Sequence, residues 1–319
     1  MNRREFVLAA AAAPFALRAG DALAGAAPLA LVTADTQAHV AVVDPSSGRI
    51  LRRIRTLPGP RSIETVDGRV AVAAHTTRGA LSLVDARTLR VREVLHGFWE
   101  PRYTAAHPGG RFAFVTDSGR GEVVAVDVVR GVVVGRVGVG GPARHVSLDR
   151  RGKTLWVALG TKAEHVALVD VSRPAQPRLL GRFSPPFLAH DVALEPGGGP
   201  AWVTSGDRGA IALYDHRRRR VVRQVRADAP PQHVTFHGGR AYVASGDDGL
   251  MRVHDAADGR LLRTTRVPLG SYNVQQGWGR ILTPSLAQGT LCVLDGAGRL
   301  RRRVQVAPSS HDACFVLGS

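Results

Sequence analysis

A short apolar run ending in aspartate returns at a near-constant interval through the whole chain. It reads AVVD at Asp44, SLVD at Asp85, VAVD at Asp127, ALVD at Asp170, ALYD at Asp215, RVHD at Asp255 and CVLD at Asp295, at spacings of 41, 42, 43, 45, 40 and 40 residues. A fixed period of this size marks a propeller or solenoid array. Each period holds four short segments with strand character. In the first full unit these are Ser62 to Val66, Arg69 to Ala74, Ala80 to Asp85 and Arg90 to Leu95, rich in Val, Ala and Leu and broken by Gly, Asp, Arg or Thr. Four such strands fill the period and leave no room for a helix, so each unit is expected to be one blade of a β-propeller.

The two ends of the chain complete the count. Leu29 to Ala34 aligns with second strands such as Phe112 to Thr116, so the first blade lacks its innermost strand. His311 to Val316 aligns with first strands such as His145 to Leu148 and has nothing after it. The C-terminal strand is therefore expected innermost in the N-terminal blade, closing a ring of seven four-stranded antiparallel blades. Closure pairs the strand edges that an open array would leave bare. An open solenoid would need capping ends, and none is found. The expected fold class is all-β.

Residues 1–24 read as an export signal. Arg3 and Arg4 precede a modest apolar stretch from Phe6 to Leu17, and Ala22-Leu23-Ala24 supplies the small residues of a cleavage site. Asn2 to Leu8, NRREFVL, resembles the twin-arginine signal. That route implies an extracytoplasmic, periplasmic or secreted protein that crosses the membrane already folded. The apolar stretch is too short to span a bilayer, and no later run approaches that length. Residues 25–319 are expected to form one propeller domain, acting as a monomer. Cys292 and Cys314 fall on a third strand and on the closing strand, about 10 Å apart by strand spacing, so two buried free thiols are expected.

The formal net charge is +17, which invites an anionic partner. Nearly all the positive charge is Arg, with Lys153 and Lys162 the only lysines. The clusters Arg217 to Arg220 and Arg301 to Arg303 map to a turn and to an outermost strand. No aromatic residues interleave them as stacking platforms, so a solvated basic rim is favoured over a nucleic-acid site.

Aligning the seven entries into the first strand gives one column: Ser62, Tyr103, His145, His190, His233, Asn273 and His311. Innermost strands line a propeller's channel, so four imidazoles are expected to converge on one axis. Arg61, Arg102 and Arg144 precede the column by one residue, Asp191 and Asp312 follow it by one, and Glu64 lies two beyond Ser62. Loops between second and third strands bring Asp35, His75, Asp117, Asp207, Asp247 and Asp248 to the same face. Loops converging on a propeller mouth are where ligands bind. The candidate contacts are His145, His190, His233 and His311, with Tyr103 as a wall, Asn273 and Ser62 beside them, and Arg102 and Arg144 attracting negative charge.

Three readings of the column stay open. Neutral His is a good ligand for copper, iron or zinc, with Asp191 and Asp312 placed to orient the rings. His and Arg around one mouth also make a cationic cup for a carboxylate or phosphate. A duplicated repeat, finally, keeps such residues to bond the backbone of the adjacent blade. The other histidines, including His39, His96, His165, His216, His237 and His254, are read as surface or packing residues. No nucleophile elbow, phosphate-binding Gly loop, haem-attachment CxxCH or HExxH occurs. The chain is therefore expected to be a non-catalytic scaffold recognising a small molecule or protein partner. The alternative is a His-ring metal protein with redox or hydrolytic activity. No resident cofactor is expected beyond such a transition metal. Asp at the end of every third strand is read as a turn residue.

RHVSLDRRGKTLWVAL at Arg144 to Leu159, TAAHPGGRFAFVTDSG at Thr104 to Gly119 and VAVVDPSSGRI at Val40 to Ile50 resemble the YVTN-type β-propeller repeat family. The resemblance covers essentially all of the chain after the signal and implies an exported propeller. In outline the column is similar to the propellers of nitrous oxide reductase and of haem-d-type nitrite reductase. This chain has four ring histidines, lacks a His-His-Pro-His segment, and carries no cupredoxin or cytochrome c domain.

Overall fold

The structure, a computed structural model, describes residues 27–215, 218 and 220–318. The signal segment, His216, Arg217 and Arg219 lie outside the described residues. Twenty-eight strands form seven four-stranded antiparallel sheets in a ring, as expected from the repeat. Among the described residues there is no α-helix, only a single 3-10 turn at Thr76–Arg78.

Ring closure follows the sequence count. Ala313–Leu317 is the innermost strand of the blade that continues through Pro28–Ala34, His39–Val43 and Ile50–Arg55. Leu29 stands opposite Val316 and Leu31 opposite Cys314 in antiparallel register. The next blades begin with Ser62–Val66, Pro101–Ala106, Val146–Leu148, Ala189–Leu194, Val234–His237 and Gln275–Gly277. The closing strand starts two residues later than expected, so His311 and Asp312 belong to the entry segment. His145, His233 and Asn273 likewise sit just before their strands, while Ser62, Tyr103 and His190 lie within theirs.

The repeated aspartate has a local explanation. In every blade the register shifts by a β-bulge between the third and fourth strands, as between Ala125 and Val126 or Val293 and Leu294. Immediately beyond the bulge the aspartate carboxylate accepts backbone N–H groups of the turn. Asp127 accepts from Val129 and Arg130, Asp255 from Ala257 and Asp295 from Ala297. Asp44, Asp85, Asp170 and Asp215 do the same. These are Asx turns, in which the side chain stands in for a backbone acceptor. The bulge adds the twist that turns the outer strand away from the ring.

The core lies between blades. One cluster joins Val72, Leu81 and Leu83 to Ala113, Val115 and Val124 of the next sheet, and an equivalent cluster fills each junction around the ring. Small Ala and Val side chains let the sheets approach closely near the axis. Outermost strands are exposed, and Arg301, Arg302 and Arg303 lie on one of them, Leu300–Gln305. Cys292 and Cys314 are buried free thiols, and burial pushes the Cys292 thiol up to about 11.

Each junction needs both its blades, so closure should matter more than any single contact. Deleting residues 311–319 should abolish the single cooperative melt, because it bares the edge of Pro28–Ala34. Leu31→Ala, at a wholly buried position, should cost about 2–5 kcal/mol. Circular dichroism melts and urea titrations measure both, and a cooperative melt of the truncated chain at unchanged temperature would show that closure is dispensable.

Candidate functional site

The site is built from backbone outward. A threonine recurs in second strands, and its hydroxyl fastens the entry to the first strand. Thr116 accepts the Tyr103 N–H at 3.1 Å and donates to the Arg144 carbonyl of the following blade at 2.7 Å. Thr204 accepts the Asp191 N–H at 3.0 Å and donates to the Gln232 carbonyl at 2.9 Å. Thr33 accepts the Asp312 N–H at 3.0 Å, and Thr283 donates to the Asn273 carbonyl at 2.7 Å. Reading the sequence by its histidines passed over this second column. Its signal was present in the aligned second strands, whose next-to-last residues are Thr33, Thr116, Thr204 and Thr283.

The expected column does converge. The Tyr103 ring lies 4.2 Å from His145, 5.3 Å from His233 and 6.4 Å from His311 by ring centroids. His145 lies 4.4 Å from both His190 and His233. Several members also tie their blade to the next one. The Ser62 hydroxyl donates to the Arg102 carbonyl, His145 Nδ1 to the His190 carbonyl, Asn273 Nδ2 to the His311 carbonyl at 2.9 Å and His311 Nδ1 to the Arg61 carbonyl at 3.0 Å. Bonding to the adjacent blade is therefore a real use of this column.

That use leaves the other ring nitrogen free. A nitrogen facing a carbonyl must carry the proton, so a neutral ring then presents an Nε2 lone pair. His145 is in this state, and His190 follows it, with Nδ1 against the Thr161 carbonyl at 3.1 Å. His233 Nδ1 stands 3.4 Å from Asp191 Oδ2. One ring nitrogen from each of His145, His190 and His233 lies within 4.8 Å of the other two. Among the described residues this is the one group of three or more potential metal ligands. His311 is not in it. His145 Nε2 is buried and has no hydrogen-bond partner, a state that costs on the order of 1–3 kcal/mol unless something else binds there.

The carboxylates divide. Asp191 accepts the Val192 N–H at 2.7 Å and the Val234 N–H of the next blade at 3.3 Å, and its Oδ2 also stands 3.4 Å from His233 Nδ1. Asp312 takes the equivalent pair, the Ile63 and Ala313 N–H groups, at 3.0 and 2.9 Å. Glu64 accepts from Gln275 Nε2 at 3.0 Å in the channel below, where the lining residues enclose a cavity of about 160 Å³. Burial pushes the Glu64 carboxyl up to about 7 and Asp312 well above its usual range. Of the loop residues, Asp35 pairs with Arg61 at 2.6 Å, Asp248 with Arg252 at 2.6 Å and Asp207 with Ser205 at 2.7 Å. Asp247 accepts from the Tyr272 hydroxyl, Asp117 caps the Trp99 and Glu100 N–H groups, and His75 is buried against Ser82 and the Pro58 carbonyl. Asp207 and Asp248 serve their own loops, whereas Asp35, Asp117 and Asp247 tie theirs to the entry segments at Arg61, Trp99 and Tyr272. Among the scattered histidines, His254 packs under Trp202 with Nδ1 on the Gly259 carbonyl, and exposed His165 meets Ser184.

Burial, reinforced by His190, His233 and Arg144, holds the His145 imidazolium well below its ordinary range. Burial and then His233 bring His190 down to about 4. His311 is likewise held low by burial and by Arg61. These rings are neutral near pH 7, the protonation state in which imidazole binds a cation. Three ring nitrogens within 4.8 Å of one another can hold one small cation, with the Tyr103 ring packed against His145 and His233.

No family model matches the chain, and no curated protein matches it in sequence. Solved structures match it in fold. Apo AztD from Citrobacter koseri superimposes with a TM-score of 0.72 at 14% identity, covering 92% of this chain and 99% of that one. A functionally unknown protein from Desulfotomaculum acetoxidans gives 0.77 at 12% identity, covering 91% and 99%. The dihydro-heme d1 dehydrogenase NirN, in complex with DHE, gives 0.62 at 16% identity, covering 88% of this chain and 64% of that one. At these identities the likeness is to the seven-bladed propeller alone.

Proposed function

We propose that this chain is an exported binding propeller that holds one transition-metal ion on His145, His190 and His233 at the mouth of its channel. The observation that carries this reading is the buried, unpartnered Nε2 of His145, one member of three imidazoles whose nitrogens lie within 4.8 Å of one another. Backbone carbonyls on Nδ1 of His145 and His190, and Asp191 beside His233, are the outer partners that metal-bound imidazoles ordinarily have. A neutral nitrogen set suits zinc, copper or iron. His311 acts as a neighbour that fixes Asn273 and the Arg61 backbone, and Tyr103 shields the site from solvent.

The wider reading is a twin-arginine-exported protein with its signal in residues 1–24 and one propeller domain in residues 25–319, of the YVTN-type repeat, working as a monomer outside the cytoplasm. Among the described residues no helix is long and apolar enough to cross a membrane. Among the fold neighbours, AztD in an apo form and NirN in complex with DHE support a propeller that binds a ligand. Binding, without bond-making chemistry, is favoured because the chain carries no nucleophile elbow, haem-attachment CxxCH or HExxH.

Elemental analysis of chain purified without a polyhistidine tag, followed by Co²⁺ titration of stripped protein, tests this. One ion per chain is expected, and His190→Ala and His233→Ala should each weaken Co²⁺ by more than about 100-fold, beyond the ~10–100-fold typical of losing an outer partner. Absence of Co²⁺ binding by the folded wild type would refute the reading.

Proton linkage supplies an independent check. The His190 folded value of about 4 lies below the ordinary 6.5, so between these values the unfolded chain binds the proton first. Its contribution to stability is complete above pH 6.5 and is lost as pH falls toward 4. In metal-free protein the His190 ring should titrate by NMR with a midpoint near 4, and a midpoint near 6.5 would mean an open, solvated ring.

A further inference from the structure

Three arginines, Arg61, Arg102 and Arg144, immediately precede the column in consecutive blades, and their backbones are fixed. The Arg61 carbonyl takes His311 Nδ1, the Arg102 carbonyl takes the Ser62 hydroxyl and the Arg144 carbonyl takes Thr116. Two of the three have acidic neighbours, Asp35 at 2.6 Å from Arg61 and Glu100 at 3.5 Å from Arg102. Among the described residues no carboxylate lies within 4.0 Å of the Arg144 guanidinium. It rests against the Tyr103 hydroxyl, and Tyr103 in turn packs 4.2 Å from the His145 ring. Nε of both Arg102 and Arg144 is buried without a hydrogen-bond partner.

The Arg144 charge is felt at His145 and His190, so it would also oppose a dication bound bare on those rings. An anion between them removes that opposition. Three imidazoles also leave a tetrahedral ion one position to fill, and a guanidinium fork is the side chain best shaped to hold a carboxylate. Arg61 and Arg102 also line a separate groove of about 410 Å³ with Asp35, Trp99 and Glu100, which none of the three imidazoles borders. Trp99 is 66% exposed, yet its indole is seated: a Cβ at Gly119 would come within 2.7 Å of it.

We propose that the mouth receives its metal as an anionic chelate, a small carboxylate-bearing molecule that completes the coordination of the ion on His145, His190 and His233 while its free carboxylates lie on Arg144 and Arg102. The inference rests on the metal reading above and goes further by naming the chemical form of the cargo. Both partners then gain: the carboxylates neutralise the arginines, and the chelate lowers the charge that Arg144 must face.

Equilibrium dialysis of the stripped full chain tests it, with Co²⁺, citrate or both, measuring metal and citrate retained per chain. Citrate should be retained one to one only when Co²⁺ is present. Arg144→Gln should weaken that retention by at least about tenfold, as loss of a charge-assisted fork would, and should tighten bare Co²⁺ severalfold. Arg102→Gln should lower citrate retention in the same direction, which keeps the test decisive if the Arg144 variant does not fold. Citrate that merely strips Co²⁺ from the wild type would overturn the chelate while leaving the metal site standing. Citrate retained equally without Co²⁺ would overturn the coupling of the two. No retention of Co²⁺ in either condition would instead bring down the metal reading itself.

Discussion

Each blade of this protein can bury its faces only against its two neighbours, so the fold depends on the ring being closed. The hydrophobic clusters lie at the seven junctions and not within any sheet. Pairing of Ala313–Leu317 with Pro28–Ala34 supplies the last of those junctions. Around the axis the same closure is repeated in hydrogen bonds, where threonine hydroxyls and column side chains join each entry segment to the carbonyl of the next blade. Burial at the rim of the channel is therefore polar and satisfied through these interblade bonds, with His145 Nε2 and Nε of Arg102 and Arg144 left over.

The imidazoles meet this condition with one nitrogen and leave the other over. An oxygen or amide column could have made the same interblade bonds, as Ser62 and Asn273 do. Histidine at His145 and His190 makes the bond and presents a second, neutral nitrogen to the axis. The structural and the binding uses of the column are thus carried by different atoms of one ring. Desolvation connects them, because the burial that makes the backbone bond worthwhile also keeps the ring uncharged.

The +17 charge has two different meanings in this molecule. On outer strands the arginines are solvated or paired locally, as Arg301 is with Asp295 at 2.6 Å. At the mouth Arg144 is half-buried, has Tyr103 beside it and acts on the same rings that form the three-nitrogen group. Location, and not the total, gives a charge its consequence, since desolvated charges interact far more strongly than screened ones.

The sequence by itself determined the architecture. A 40-residue period, four strands per period, an N-terminal unit short of its first strand and a C-terminal strand left over allow only a closed ring of seven blades. The seven aspartates were legible as turns because local chain geometry alone explains them. The convergence of Ser62, Tyr103, His145, His190, His233, Asn273 and His311 was legible too, since equivalent positions of a closed repeat must face one axis. Only the tertiary structure decided which of them act together. Three imidazoles group while His311 turns to Arg61 and Asn273, Asp191 and Asp312 both take backbone N–H groups but Asp191 also has a ring 3.4 Å away, and among the described residues Arg144 alone of its trio lacks a carboxylate. Those choices depend on side-chain rotation and on partners some 28 to 280 residues away in the chain, such as Thr116 for Arg144 and Thr33 for Asp312, and a repeat pattern, being the same in every blade, carries no information about how its copies differ in contact.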